Sequence, residues 1–415
     1  MRSVVRGLYV PLLLFVASLS LAQDNGHQHH QKTDSAQLAN RNSNDCTFNN
    51  IGCAKTLTVK DSPKGDIWRV WVHEQSIYFD VSKDKGRSYS QPKRVEIPDE
   101  KISARNENRP KIGFDAKQGV YLSWAMPREK KYTADIRFSY SNDYGETFST
   151  PITVNDDNLL TSHSFNEMWV SDNGEVQLVW LDGRHRLQSK QQGKKVNGSS
   201  LYYAKAKLNN NMFNFNNQML ANGTCVCCRL AIANNGSNNL AIFWRHIYGD
   251  NIREFALLTV NEQLEPKQIS HDYWQINGCP HQGGGISITE DNSYHLVWFN
   301  QGQKGKGIFY SRSDNKGVLL REPLAMGSKK HRAMHPHIMA TGRRVDVVWL
   351  EFREGGHQLW RQSSIDGGDT FMPAQVVAVA QDGADRPFIF RANQKHYVSW
   401  LRYGQPPITD VLAIP

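Results

Sequence analysis

The stretch IRFSYSNDYGETF, residues 136–148, runs from an alternating apolar segment into a compact turn. The turn has the pattern S-x-D-x-G-x-[TS]-[FY]. In such a turn the carboxylate of Asp143 accepts backbone N–H groups, Gly145 takes a positive φ, and Phe148 packs between sheets. Further copies of the pattern lie at residues 82–89 and 364–371, with a degenerate copy at 313–317. These copies predict a repeated β unit.

A tryptophan near the end of an alternating strand also repeats along the chain, as in YLSW at Trp124 and HLVW at Trp298. The seven copies are Trp71, Trp124, Trp180, Trp244, Trp298, Trp349 and Trp400. Successive copies lie 51 to 64 residues apart, a period that suits a four-stranded propeller blade with its loops. We therefore predict an all-β fold, a β-propeller of four-stranded blades, with seven blades favoured and six as the alternative. Each tryptophan should lie on the second strand of its blade.

The first residues indicate export. Arg2 and Arg6 precede an apolar run, and Ser20-Leu21-Ala22 offers the small residues that a signal peptidase reads. We expect a signal peptide at residues 1–22, cleaved after Ala22, and therefore a periplasmic or secreted protein. No other stretch has the length and apolar character of a membrane span, so we expect no membrane-spanning segment in the mature chain.

A polar segment separates the signal peptide from the repeats. Residues 23–45 are rich in Gln, Asn and His and have almost nothing apolar to bury, which predicts a disordered leader. Residues 46–415 should then form a single propeller domain. Because the chain from Arg386 onward supplies only about three strands, we expect residues 47–58 to add the missing outer strand and close the ring.

The charge balance limits the kind of partner. The formal net charge of +9 is spread along the chain without a basic block, which weakly favours anionic ligands. Export and the lack of a basic stripe argue against nucleic acid binding. We expect a monomer that binds a small anionic or carbohydrate ligand.

Ionisable side chains recur where the innermost strand of each predicted blade begins, for example NRPKIGF at Arg109 and MHPHIMA at His335 and His337. Propellers bind ligands at the mouth of the central channel, where these strands begin, so we predict one shared site. The predicted ligand-binding residues are Arg109, His163, Arg229, Arg245, His335, His337 and Arg386. For each of them the alternative is a structural side chain whose hydrogen bonds are satisfied within the protein.

Soft metal ligands are concentrated on two neighbouring units. The predicted metal ligands are Cys225, Cys227, Cys228, Cys279 and His281. Thiolates with an imidazole suit copper(I) or zinc(II), and inner strands of adjacent blades lie side by side. If the first three cysteines lie on a strand, Cys225 and Cys227 point to one side of it and Cys228 to the other.

Disulfide bonds are the alternative for these cysteines. In an exported chain, Cys46 and Cys53 would form a short local loop and the other four cysteines would pair among themselves. A mixture also stays open, in which Cys279 bridges to one member of the 225–228 group and leaves the others for a metal.

The repeated turn resembles the Asp-box, or BNR repeat, of bacterial sialidases and other propellers. The C-x-C-C-R and C-P-H segments, at residues 225–229 and 279–281, resemble those of an exported bacterial group named sialidase-like for its Asp-boxes alone. The resemblance implies a propeller, and ligand or metal handling in the cell envelope. It leaves the catalytic residues unknown.

Sialidases use an arginine triad for the substrate carboxylate, a tyrosine with a glutamate as nucleophile, and an aspartic acid. Arg109 and Arg386 lie where arginines at the channel mouth could pair with a carboxylate, and Arg245 or Arg353 is the candidate for the third arginine. No Tyr–Glu pair stands out, and Tyr248 or Tyr403 with Glu351 stays open. The cysteines and histidines are foreign to the pattern. We expect binding of a metal, an anionic ligand or both, without sialidase activity. Whether the chain is an enzyme stays open, and the alternative is an exo-α-sialidase or related glycoside hydrolase.

Overall fold

The computed structural model describes residues 47–49, 51–97, 100–194, 196–262 and 265–412. The predicted signal peptide and leader, residues 1–22 and 23–45, lie outside the described residues. The division of the chain into these two segments and a propeller domain therefore stays a prediction. The fold is all-β as predicted, with 51% strand and 3% helix. Within the described ranges, no helix has the length and apolar character needed to cross a bilayer.

The strands follow one another as antiparallel hairpins, which we number as strand groups in chain order. Group 1 contains β1 (Leu57–Asp61), β2 (Ile67–His73), β3 (Ser76–Ser82) and β4 (Lys93–Arg94). Group 2 contains β5 (Lys111–Phe114), β6 (Val120–Pro127), β7 (Ala134–Ser141) and β8 (Ile152–Thr153). Group 3 contains β9 (His163–Val170), β10 (Glu175–Asp182), β11 (Ser199–Lys207) and β12 (Asn216–Thr224).

The second half of the chain continues this order. Group 4 contains β13 (Ala231–Asn234), β14 (Leu240–Tyr248), β15 (Ile252–Thr259) and β16 (Lys267–Gln268). Group 5 contains β17 (Gly285–Ile288), β18 (Tyr294–Gly302), β19 (Gly305–Ser313) and β20 (Leu324–Met326). Group 6 contains β21 (Met334–Thr341), β22 (Arg344–Arg353), β23 (Gly356–Ser364) and β24 (Gln375–Ala380). Group 7 contains β25 (Phe388–Ala392), β26 (Lys395–Trp400) and β27 (Ile408–Val411).

Groups 3 and 4 are joined into one eight-stranded sheet, because Thr224 at the end of β12 pairs with His246 in β14. A short helix, α1 (Arg184–Gln191), lies between β10 and β11. The prediction that residues 47–58 complete the last sheet was wrong. Residues 51–53 form a 3-10 helix, β1 pairs with β2, and among the described residues group 7 has three strands.

The repeat tryptophans occupy equivalent positions, each on the second strand of its group. All seven are at most 1% exposed, and those of groups 2 to 7 each lie in an apolar core shared with the preceding group. Trp71 of group 1 packs instead with Phe390 and Tyr397 of group 7. The alternating apolar residues of each strand therefore form cores between groups, and the first group packs against the last.

The Asp-box turns join neighbouring groups. In group 2, Thr147 N–H donates to the Asp143 carboxylate over 2.9 Å and Gly145 N–H donates to Ser141 Oγ over 2.8 Å. Hydrogen bonds from Ser141 and Thr147 lower the pKa of Asp143 to about 2. Gly145 has φ +87°, and a Cβ there would lie 2.9 Å from the ring of Trp68 in group 1. The glycine is needed for both the turn conformation and the close packing.

The first strands of successive groups contact one another in order, and β1 contacts both β5 and β25. Arg109, just before β5, ties this junction together. Its guanidinium donates to Leu57 O over 2.7 Å, to Asp385 Oδ1 over 2.8 Å and to Asn106 O over 2.8 Å. Arg109 is 6% exposed and Asp385 is fully buried. The pair therefore connects three strand groups inside the protein.

Replacing Arg109 by Ala should lower the free energy of unfolding by about 3–5 kcal/mol, because the buried carboxylate of Asp385 loses its charged partner. Denaturant titration followed by circular dichroism measures this loss. Lys93→Ala is the control, since Lys93 pairs with Glu146 at the surface and its loss should cost about 0–1 kcal/mol. Equal losses in the two variants would contradict the structural role given to Arg109.

Candidate metal centre

The thiols of Cys225, Cys227 and Cys228 lie together in the protein interior. Cys225 Sγ is 3.2 Å from Cys228 Sγ and 3.8 Å from Cys227 Sγ. All three residues are at most 6% exposed, and their sulfur atoms lie within 4.8 Å of one another. This geometry places three soft ligand atoms around one point.

A turn rather than a strand brings these sulfur atoms together. Residues 225–228 lie after β12 and before β13, with Val226 and Cys227 in a turn. The prediction that Cys228 points away from Cys225 and Cys227 was therefore wrong. A strand would alternate the side chains, whereas a turn folds them back onto one side.

A second group of ligand atoms shares Cys227. Cys227 Sγ, Cys279 Sγ and a ring nitrogen of His281 also lie within 4.8 Å of one another. Cys279 and His281 are exposed, in contrast to the three buried cysteines. The structure thus brings together all five residues that the sequence predicts as metal ligands.

The four cysteines of these two groups are free thiols in this structure. Cys53 is disulfide-bonded, while Cys46, its predicted partner, lies outside the described residues. This structure therefore does not show the alternative in which these four cysteines pair as disulfides.

The thiols influence one another's protonation. Hydrogen bonds from Cys227 and Cys228 lower the pKa of Cys225 well below its usual value, because they stabilise its thiolate. The hydrogen bond with Cys227 likewise lowers the pKa of Cys279. Burial raises the pKa of Cys228. Negative charge is thus favoured on Cys225 and Cys279, on either side of Cys227.

Arg245 is part of the scaffold around the cysteines. It is 1% exposed, and its backbone oxygen accepts the Cys225 amide over 3.0 Å. Its guanidinium donates to Gln282 O over 3.3 Å and to Asn300 Oδ1 over 3.0 Å. Like Arg109, it is held by partners within the protein, which is the structural alternative stated for it above.

Two of the predicted ligand-binding residues lie beside Glu107, a residue that the sequence analysis did not single out. Glu107 Oε1 lies 3.5 Å from Arg229 Nη1 and 3.9 Å from His335 Nδ1. Burial lowers the pKa of His335 well below its usual value, and the charges of Arg386 and Arg229 add to the effect. The imidazole is therefore neutral near pH 7.

His337 lies close to the same group of charges. Its Nδ1 accepts the Ile389 amide over 3.2 Å, and burial lowers its pKa, followed by the charges of Arg229, Lys111 and Arg109. The structure therefore gathers Arg229, His335, His337 and Arg386 in one region. That these residues bind a ligand stays a prediction.

The signal that could have revealed Glu107 is its place in the NENRP segment, two residues before Arg109.

His163 belongs to a separate buried network. Its Nδ1–H donates to Ala134 O over 2.7 Å, and its Nε2 lies 3.0 Å from Asp157 and 3.6 Å from Asp182. Arg184 bonds both carboxylates, at 3.0 Å and 2.9 Å. A guanidinium bonded to both acids offsets their charge, so this group is an ion-pair network rather than a cation site.

Comparison with known proteins shows the architecture. No protein-family profile and no curated protein matches the chain. Among solved structures, an ulvan lyase, a polysaccharide lyase bound to a GlcA and Rha3S fragment, matches at 11% identity over 84% of this chain and 90% of its own, with a TM-score of 0.53. The lectin BP39L from Burkholderia pseudomallei matches at 9% identity over 87% of this chain and 99% of its own, also with a TM-score of 0.53. The fold is of the propeller type.

A third match, the Hadza microbial sialidase Hz136, is 11% identical over 80% of this chain and 74% of its own. Its TM-score is 0.45. At these identities the likeness shows the fold alone. The cysteine cluster of this propeller could hold a metal, and that capacity follows from its own geometry.

The His163 network predicts a specific pH dependence of stability. Burial opposes the charged imidazole, but the hydrogen bond with Asp157 and the charge of Asp182 prevail, so the pKa of His163 is raised. A raised folded-state pKa gives stability that is fully present below the unfolded value near 6.5 and lost as pH rises through the folded value. The difference in free energy of unfolding between wild type and His163→Gln should therefore be largest near pH 6 and shrink towards pH 9.

His295→Gln is the matched control for this experiment. Burial lowers the pKa of His295 to about 4, so its contribution should be present above pH 6.5 and decline as pH falls towards 4. Denaturant titrations of the three proteins at several pH values should give opposite trends for the two histidines. Parallel trends would contradict the charged state given to His163.

Proposed function

We propose that the chain is an exported, sialidase-like propeller that binds a soft metal ion, copper or zinc, at the cysteine cluster. The observation that carries the proposal is the convergence of four free thiols and an imidazole in two groups that share Cys227. Thiolate ligands select copper(I) or zinc(II) over harder cations. Export to the periplasm or the exterior is part of the proposal and rests on residues 1–22. In an oxidising compartment, thiols this close pair as disulfides unless a metal holds them.

The proposed architecture is a closed ring of seven blades, one per strand group. It is supported by the seven equivalent tryptophan strands and by the contacts that run from β1 through the first strand of each group back to β25. The eight-stranded sheet then consists of two blades joined at the Thr224–His246 pair.

Metal loading tests the proposal directly. Protein purified under reducing, oxygen-free conditions should retain stoichiometric copper(I) or zinc(II) after dialysis, as measured by elemental analysis. Cys227→Ser should reduce the bound metal to background, because Cys227 is common to both ligand groups.

Asp143→Ala is the control for metal loading. Asp143 bonds Ser141 and Thr147 within its own turn, so its loss should leave the metal content unchanged. Failure of the wild type to retain either metal above background would refute metal binding at this cluster.

A second candidate function is binding of a small anionic or carbohydrate ligand beside Glu107. Three buried atoms there, Glu107 Oε1, Arg229 Nε and His335 Nδ1, have no hydrogen-bond partner in the part of the chain that the structure describes. Buried polar atoms of folded proteins are nearly always hydrogen-bonded, so these atoms favour a polar ligand or ordered water. The guanidinium groups of Arg229 and Arg386 both act electrostatically on His335, and positive charge of this kind favours an anionic ligand.

We propose that this region does not cleave sialosides. A retaining sialidase needs a nucleophile with its base and a separate acid facing one cavity, whereas Glu107 is the carboxylate that lies beside Arg229 and His335. A fluorogenic sialic acid glycoside should therefore release little or no fluorophore. Robust release that is lost in folded Arg386→Ala, but kept in Asp143→Ala, would instead favour the exo-α-sialidase alternative.

A further inference from the structure

We propose that the cluster holds two metal ions bridged by the thiolate of Cys227, an inference that rests on the proposed metal binding. The inner ion is bound by Cys225, Cys227 and Cys228, and the outer ion by Cys227, Cys279 and His281. The five ligand atoms form two groups with one shared sulfur, and within each group all atoms lie within 4.8 Å of one another.

Bond lengths favour two ions over one. A metal–sulfur bond is about 2.3 Å, so ligands around a trigonal ion lie about 4 Å apart. The Cys225–Cys227 sulfur distance of 3.8 Å is close to that value, whereas the Cys225–Cys228 distance of 3.2 Å is shorter, so the inner group has to open slightly to hold a central ion. The five ligand atoms form two groups rather than one in which all atoms lie within 4.8 Å of one another. An ion at the centre of one group would therefore lie off the centre of the other. Each group by itself supplies a trigonal set, which suits copper(I).

Burial distinguishes the two positions. The inner group is formed by three buried cysteines, whereas the outer group adds two exposed residues, Cys279 and His281. An ion in the outer group can exchange with chelators in solution, while an ion in the inner group is shielded by protein. We therefore infer that the outer position loads and releases metal and that the inner position retains it.

Positive charge near the cluster is compatible with two thiolate-bound ions. Four thiolates with two copper(I) ions and a neutral imidazole carry a net charge of −2 by formal count over Cys225, Cys227, Cys228 and Cys279. The guanidinium groups of Arg245 and Arg253 act electrostatically on Cys225, and that of Arg186 acts on Cys279. These charges offset the negative charge of a fully thiolate-bound pair of ions.

Anaerobic copper(I) titration against the chromophoric chelator bicinchoninate tests the inference. The wild type should bind two copper ions per chain, whereas Cys225→Ser and His281→Ala should each bind one, and Cys227→Ser should bind none tightly. His271→Ala is the matched control, because His271 is an exposed histidine outside both ligand groups, in hydrogen-bond contact with Gln268. It should bind two copper ions like the wild type.

X-ray absorption of the copper-loaded wild type gives a second measurement that needs no variant. A copper–copper scattering path is expected, and bicinchoninate should remove one ion faster than the other. One copper per wild-type chain, with no copper–copper path, would overturn the two-ion inference and leave the proposed metal binding intact. The same holds if one copper binds while two thiols of the purified protein have formed a disulfide. No bound copper or zinc at all would instead overturn the proposed function.

Discussion

The buried ion pair of Arg109 and Asp385 links parts of the chain that are 276 residues apart. A guanidinium that is removed from water needs hydrogen-bond partners within the protein, and all three nitrogen atoms of Arg109 have one, with Asn106, Leu57 and Asp385. Trp71 reinforces the same junction, because it packs into group 7 as the other tryptophans pack into the group before them. At this edge of the first sheet, the backbone N–H of Leu57 donates to Asp385 and its backbone oxygen accepts from Arg109.

Local patterns predicted most of the fold. A strand alternates its side chains and an Asp-box closes on itself, so the tryptophan strands and the turn at Asp143 are encoded within about ten residues of sequence. Asp385, the ion-pair partner of Arg109, lies 276 residues away in the sequence, so no local pattern predicts the pair. The sequence placed this arginine at the start of an inner strand, but only the closed fold shows that Asp385 and Leu57 occupy its N–H groups.

The cysteine cluster, too, was predictable from the sequence only in part. The residue types and their location on adjacent units were sufficient to predict a soft metal site. The backbone conformation was not predictable, because Cys225 and Cys227 fit an alternating strand as well as they fit a turn. Glu107 was missed for a different reason. Its place two residues before Arg109 is the one signal in the sequence, and that signal does not show that the folded chain buries Glu107 beside Arg229 and His335.

Arg245, which the sequence predicts as a ligand-binding residue, contacts both segments of the cysteine cluster. Its backbone oxygen accepts the amide of Cys225, at the start of the cysteine turn, while its side chain donates to Gln282 O, one residue after His281. One buried residue therefore contacts both the segment of the three buried cysteines and the segment of Cys279 and His281. Arg245 also donates to Asn300 in group 5, so both segments are tied to that strand group. For the metal binding proposed above, ligands whose spacing is already formed lower the entropy lost on binding.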